Sequence, residues 1–406
     1  LSRQNIDGTR EAPFSVQEFE SRRQRVRDLA VEKGFDALLI ADPANIYYLT
    51  GYDAWSFYTP QLLFFPVDGD LYFIAREMDA NGAHRTISQV PRDRILGYPE
   101  TYIHQAEIHP GDWIALSIRD LGYGRPLRVG YEGDAAFFTV RTYRALAAGL
   151  PEWDLQEDHN LVNWVRVTKS ETEIDYMRKA GRICEISMNA AFDGLRLDRP
   201  QNQVAADVMA AQARGDGTVD GDYASIVPMF PTGAGADTPH LTWADTPTPA
   251  GVPISIELAG AHRRYHAPLA RTAIIGDPEP ELARLGDVTV EALQAALDVV
   301  REGTTSNDVA EAFTAVLRRN GYSKNSRLGY SIGVGYPPDW GERTVSIREG
   351  DSTVLHTNMT FHLIAGMWLT GMGYEVSESI RVTENGCETF SNIPRGLISL
   401  DSRRYL

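Results

Sequence analysis

Apolar positions along this 406-residue chain switch between two spacings, and the switches outline its organisation. From about residue 15 to 34, Phe19, Val26 and Leu29 share one helical face behind a Ser15–Glu18 capping-box pattern. Ala37-Leu38-Leu39-Ile40 is then a short apolar run closed by Asp42-Pro43, the mark of a buried strand. Leu62-Leu63-Phe64-Phe65 and Leu71-Tyr72-Phe73-Ile74 repeat the strand signal around a turn at Asp68-Gly69. Helix and strand signals alternate to about residue 160, which predicts an α/β domain over residues 1–161.

A second domain is predicted over residues 162–406, opening with Val162-Asn163-Trp164-Val165-Arg166. Ser170 and Glu173 bracket a helix start, and Ile174, Met177, Cys184, Met188 and Leu195 keep helical spacing. Such a stripe is core. Pro200 opens the next helix. Strands are predicted near 223–230 and over 253–275, the latter a hairpin turning at Gly260. A second round follows: helices near 281–301 and 306–319, ended by Gly303 and Gly321, then strands near 329–335, 359–368 and 374–383. The fold class expected is α+β, two helix–helix–strand rounds preceded by the α/β domain.

Composition narrows the setting. Hydrophobic residues make up 43% and charged residues 23%, as in a soluble globular protein. The net charge of −16 argues against a nucleic-acid partner. Two cysteines, Cys184 and Cys387, make no disulfide framework. Leu1-Ser2-Arg3-Gln4-Asn5 lacks the apolar core of an export signal, so a cytoplasmic location is expected. The Arg22-Arg23-Gln24-Arg25 cluster reads as a solvated helix face.

Candidate chemistry centres on Ser255-Ile256-Glu257-Leu258-Ala259-Gly260 and Arg264-Tyr265-His266-Ala267-Pro268-Leu269-Ala270-Arg271-Thr272. This frame resembles the hairpin of the pita-bread enzymes: creatinases, methionine aminopeptidases and Xaa-Pro aminopeptidases. In their metal-dependent members two Asp residues eleven apart hold divalent cations. Here those places carry Glu257 and Pro268, and proline has no donor atom. The resemblance puts Tyr330 where those enzymes have a His, Ile364 where they have a Glu, and Glu378 at a last Glu. Two carboxylates do not hold a dinuclear site. No metal and no cofactor are therefore expected.

Other side chains could take part. His240, in Pro239-His240-Leu241-Thr242-Trp243, lies seventeen residues before Glu257 and suits acid–base work or a structural hydrogen bond. His266 alternates with Tyr265, so one of the two faces the site. His362 is either a site residue or a satisfied strand histidine. Tyr330 is a donor or a packed ring, and Trp340 follows a stiff Pro337-Pro338 turn. Without a metal to polarise a carbonyl, an amidinium or guanidinium carbon is a better target than a peptide, because it arrives positively charged and pairs with carboxylates.

Together with Met78-Asp79-Ala80-Asn81-Gly82-Ala83, Val162 through Arg166, Gly329 through Glu342 and Asn358-Met359-Thr360-Phe361-His362, these motifs resemble the ectoine hydrolases, a metal-independent branch of the pita-bread fold. The resemblance implies a small-molecule substrate: hydrolysis of the cyclic amidine of ectoine or 5-hydroxyectoine to N-acetyl-2,4-diaminobutyrate. It implies catalytic Glu257, His240, Glu378 and Tyr330, with His266, His362, Trp340, Phe57 and Tyr58 around the substrate. It also implies a homodimer in which Trp55, Phe57 or Tyr58 of one copy helps to close the site of the other. His356-Thr357 depart from the acidic residue and proline that the family carries before Asn-Met. Competing readings are a creatinase-like guanidino-acid hydrolase, a Xaa-Pro aminopeptidase and an inactive binding module.

Overall fold

A computed structural model describes residues 11–400. The N-terminal pentapeptide read for an export signal lies outside the described residues. The chain divides after Arg166 into two units, one short helix later than expected.

In the first unit, β1 (Ala37–Ile40), β2 (Leu62–Pro66), β3 (Tyr72–Arg76), β4 (Ile95–Tyr98), β5 (Leu127–Tyr131) and β6 (Trp153–Glu157) form one sheet, ordered β4-β3-β2-β1-β5-β6. β2 is antiparallel to both neighbours, and the remaining pairs are parallel. Helices α1 (Val16–Glu32), α2 (Pro43–Thr50), α3 (Glu77–Thr86), α4 (Pro110–Ile118), α5 (Val140–Gly149) and α6 (Leu161–Arg166) accompany it. Ser15 caps α1 by accepting from Glu18 N–H at 3.2 Å. The basic cluster is not simply a solvated face. Arg22 and Arg23 are buried and donate to the Tyr48 and Leu49 carbonyls. Those carbonyls end α2 and have no partner within the helix, so guanidinium groups satisfy them.

The second unit carries α7 (Glu171–Gly194), α8 (Gln201–Arg214), the hairpin β7 (Pro253–His262) and β8 (Tyr265–Ile275), then α9 (Pro280–Val299) and α10 (Ser306–Arg319). β9 (Gly329–Tyr336), β10 (Asp339–Ile347), β11 (Thr360–Leu369), β12 (Met372–Thr383), β13 (Gly386–Thr389) and β14 (Ile398–Leu400) complete it. The sheet runs β13-β12-β11-β9-β8-β14, with β10 beside β9 and β7 beside β8. The predicted capping box at Ser170–Glu173 is present in both directions.

Two strand expectations fail, for related reasons. The hairpin turns at Arg263-Arg264, both with positive φ, and not at Gly260. Arg264 N–H donates to Asp222, and its guanidinium donates to Tyr223 O and stacks 3.6 Å from the Tyr223 ring. Those contacts hold a conformation that side-chain-bearing residues rarely adopt. Gly260 serves another purpose: a Cβ there would lie 2.0 Å from Ala180 O and 2.4 Å from Cys184 N, so its absence lets α7 approach β7. The stretch 223–230 is not a strand. Tyr223 O and Ser225 N–H are spent on hairpin side chains, and Met229 alone bridges to Glu257. Among the described residues no helix is long and apolar enough to cross a membrane.

Candidate active site

Alternation along the strands sorts side chains onto two faces. Ile256, Leu258, Leu269 and Ala273 pack with Cys184, Met188, Val204 and Val208 of α7 and α8. Phe361, Leu363, Ala365, Val376 and Ile380 pack with Leu285, Leu293, Phe313 and Leu317 of α9 and α10. The intervening positions take the other face. Ladder register aligns Glu257 with Ala270, Ala259 with Pro268, Tyr330 with His362, Ile364 with Ser377 and Gly366 with Glu375. The face turned away from α7 to α10 therefore gathers Glu257, Tyr330, His362, Glu375 and Ser377.

Two acids dominate it electrostatically. Glu257 is 5% exposed, and burial pushes its carboxyl up to about 7. Glu375 is fully buried, and neither of its carboxylate oxygens has a hydrogen-bond partner among the described residues. Burial first, and the Glu257 charge second, raise the Glu375 carboxyl well above its ordinary range; Lys324 and Trp368 oppose the rise. Lys324 Nζ donates to Gly366 O at 2.8 Å and lies 4.4 Å from the centroid of Trp368. Burial lowers its ammonium to about 8. Two buried acids that feel each other do not ionise together, so the pair loses its protons in sequence. Sequence reasoning missed Glu375, although a signal was there: an acid inside the apolar run Tyr374-Glu375-Val376, in step with Ser377.

A hydrogen-bonded chain lies on the same face. Ser377 Oγ accepts from Ala270 N–H at 2.6 Å and sits 2.7 Å from His362 Nε2. His362 Nδ1 lies 3.0 Å from the Tyr330 hydroxyl, which also accepts from Trp340 Nε1–H at 2.9 Å. Burial, with the charges of Arg271 and Arg327, lowers His362 to about 3, so its ring is neutral. Burial, then the Glu257 charge, raises the Tyr330 phenol. That electrostatic effect ties Tyr330 to Glu257. Trp340 is buried and acts by holding the phenol.

Among the other sequence-predicted residues of the second unit, His266 and His240 stand apart from this group to differing degrees. His266 shares the Glu257 face by alternation, while Tyr265 turns the other way and donates to Glu173. Both His266 nitrogens are engaged: Nδ1 with Arg264 O at 2.9 Å, Nε2 with Ser225 N–H at 3.0 Å. Burial lowers it to about 3. His240 is exposed on a loop whose next residue, Leu241, accepts from Phe230 N–H. In the first unit Phe57 is buried against Trp55 and Phe137, whereas Tyr58 is exposed. His356 and Thr357, where the chain departs from the family pattern, sit on a turn tied to Glu302.

Glu378 requires a correction. It faces the helices, not Glu257, because it shares its side of β12 with Val376 and Ile380. Its Oε1 accepts from Arg271 Nη2 at 2.8 Å and Arg395 Nε at 2.9 Å. Arg271 also donates to the carbonyls of Pro394, Ala270, Ser377 and Ile393, which uses every guanidinium N–H. The sequence count was off by one residue: Ser377 takes the site-facing place on β12.

The donor set does not suit the paired cations of the metal-dependent enzymes. Pro268 and Ile364 have no side-chain donor, and Tyr330 and Ser377 are engaged with His362. Among the described residues no group of three or more His, Cys, Asp or Glu side chains is arranged to hold a metal ion.

With this geometry in hand, similarity to known proteins becomes informative. Residues 175–384 match metallopeptidase family M24, and residues 22–168 match the creatinase/prolidase N-terminal domain. An ectoine hydrolase from Halomonas elongata is 40% identical over 95% of this chain and 98% of its own. An uncharacterised hydrolase/peptidase, y4tM of Sinorhizobium fredii, is 39% identical over 96% and 99%. A prolidase from Thermococcus sibiricus has the same fold, with a TM-score of 0.82 at 19% identity over 95% of this chain and 100% of that one.

Proposed function

Because the chain belongs to the ectoine-hydrolase family within metallopeptidase family M24, we propose that it opens the cyclic amidine of ectoine, and of 5-hydroxyectoine, to N-acetyl-2,4-diaminobutyrate without a metal. The observation that carries this reading is the Glu257–Glu375 pair, buried together with both Glu375 oxygens unpartnered. A cation that presents two N–H groups in one plane suits such a pair, and an amidinium does so. Its carbon is already electron-poor, so no Lewis acid is required to activate it.

The Glu257 carboxylate adds to the amidine carbon, making a C–O bond and neutralising the cation. One ring C–N bond breaks as a proton passes from Tyr330 to the departing nitrogen. Water then adds to the same carbon, one of its protons returning to the Tyr330 phenolate and the other passing to the freed amine, and Glu257 leaves as carboxylate. The product keeps an acetamide on one nitrogen and a free amine on the other. Burial and mutual repulsion keep the Glu257–Glu375 pair from ionising together, so it carries at most one negative charge until the substrate enters. The active form is a cytoplasmic homodimer, with exposed Trp55 and Tyr58 as the aromatic groups offered by one copy to the other.

The test is incubation with ectoine, creatine and a Xaa-Pro dipeptide, each with and without a chelator. Ectoine should be consumed equally in both conditions, and Glu257→Gln should slow turnover by at least about 10³-fold while remaining folded. Dipeptide cleavage that stops with chelator and returns with Mn²⁺ would overturn the reading. Turnover of creatine alone would move the substrate to a guanidino acid while keeping the acid pair.

A further inference from the structure

On the reading of the Glu257 face as the amidine site, we propose that Ser377 is a positioning residue that fixes the His362 tautomer and thereby makes Tyr330 a proton donor toward the substrate. Ser377 Oγ accepts Ala270 N–H, and the other partner of that oxygen among the described residues is His362 Nε2. Ser377 is wholly buried, so its own hydrogen needs an acceptor there. Nε2 is that acceptor. A neutral imidazole has one N–H, and His362 is neutral, so the hydrogen of the ring sits on Nδ1.

Nδ1–H then donates to the Tyr330 oxygen at 3.0 Å. Trp340 Nε1–H donates to the same oxygen at 2.9 Å. Two incoming bonds occupy its acceptor capacity. The phenolic hydrogen is left with no acceptor among the described residues and turns toward the face that holds Glu257. The opposite tautomer would give the phenolic hydrogen to His362 and leave the serine hydrogen stranded in the strand interior. Tyr330 is only partly buried, unlike Ser377. The unmatched hydrogen belongs where a ligand can meet it.

This assigns Ser377 a task that its position explains. It occupies the site-facing place on β12, where the ladder sets it opposite Ile364, and it reaches His362 diagonally across β11. The backbone N–H of Ala270, directly opposite Glu257, starts the chain of donors. One rigid hairpin therefore positions the attacking carboxylate and orients the donor.

The test reads the tautomer directly. Long-range ¹H–¹⁵N correlation spectra of histidine-labelled protein distinguish Nδ1–H from Nε2–H rings, and His362 is identified by the pattern lost in His362→Gln. The wild-type ring should be neutral and Nδ1-protonated from pH 6 to pH 8. Ser377→Ala should switch it to Nε2–H. With ectoine, the same variant should lower kcat by about 10²-fold, the scale of one general acid, with little change in KM. An Nε2–H ring in the wild type overturns the proposal, as does an Nδ1–H ring retained in Ser377→Ala. If that variant does not fold, the wild-type spectrum still decides. Absence of ectoine turnover in the wild type would sink the substrate assignment and leave the spectrum standing, so the two failures are separable.

Discussion

Glu375 and Glu378 lie on the same strand, both buried, and their surroundings are opposite. Glu378 faces the helices and receives two guanidinium groups through Oε1. Glu375 faces away from them, beside another acid, with neither oxygen bonded. Period two along β12 is the whole cause of the separation. The contrast shows how one strand can serve structure and chemistry at once. An acid with two guanidinium groups on one oxygen holds the sheet to the closing segment around Ile393 and Pro394. An acid denied them is pushed toward its protonated form, and a cationic ligand is the partner its charge lacks.

The largest expected effect lies on the structural side. Arg271→Met strips Glu378 of one guanidinium and leaves four carbonyls without their donor. Breaking a buried pair of this kind costs about 3–5 kcal/mol, measurable by urea unfolding. Adding Glu378→Gln to that variant should recover part of the loss, since it removes a buried charge that Arg395 alone is left to compensate. Stability equal to wild type in Arg271→Met would erase the distinction between the two acids.

The sequence showed most of the architecture and only half of this distinction. Capping boxes, the Gly303 and Gly321 helix ends and the apolar strands mark themselves locally. Glu257 stood out because hairpin spacing identified its place. Glu378 was misplaced because a one-residue slip in counting along β12 moves a side chain to the other face. The turn at Arg263-Arg264 was hidden because its support comes from Asp222 and Tyr223, forty residues earlier in the chain. The acid pair itself was illegible for the same reason: Glu257 and Glu375 meet only once β7 and β12 lie in one sheet.

A second, somewhat smaller effect sharpens the comparison through pH. The Glu257 carboxyl moves from 4.5 to about 7 on folding. An acid whose folded value is raised binds its proton more tightly in the native state. Its contribution is fully present below pH 4.5 and is lost as pH rises to about 7. The integrated loss is roughly 3 kcal/mol at one pK unit per 1.36 kcal/mol. Asp158 is also pushed up to about 7 by burial, so the wild type carries more than one such slope. The difference between wild type and Glu257→Gln cancels the slope of Asp158 and leaves that of the Glu257–Glu375 pair. Unfolding titrations at pH 4.5, 6 and 7.5 should show Glu257→Gln gaining on the wild type across this window. Parallel pH curves would place Glu257 outside a dry, acid-paired site.

The smallest effect is the most discriminating. Glutamine has nearly the shape of a protonated glutamate, and burial pushes Glu375 toward its protonated form. Glu375→Gln should therefore change stability by no more than about 1 kcal/mol at pH 6, far less than Arg271→Met. The variant should become the more stable protein as pH rises into the range where Glu375 would ionise, because the amide cannot acquire the charge. Glu378→Gln should behave the other way, losing stability at pH 6 because the amide no longer offers a charge to the two guanidinium groups. Paired unfolding curves for the two substitutions make the comparison within a single strand. Equal losses at pH 6 would mean that Glu375 is held by partners as Glu378 is, and the case for an acid kept ready for a cation would fall with it.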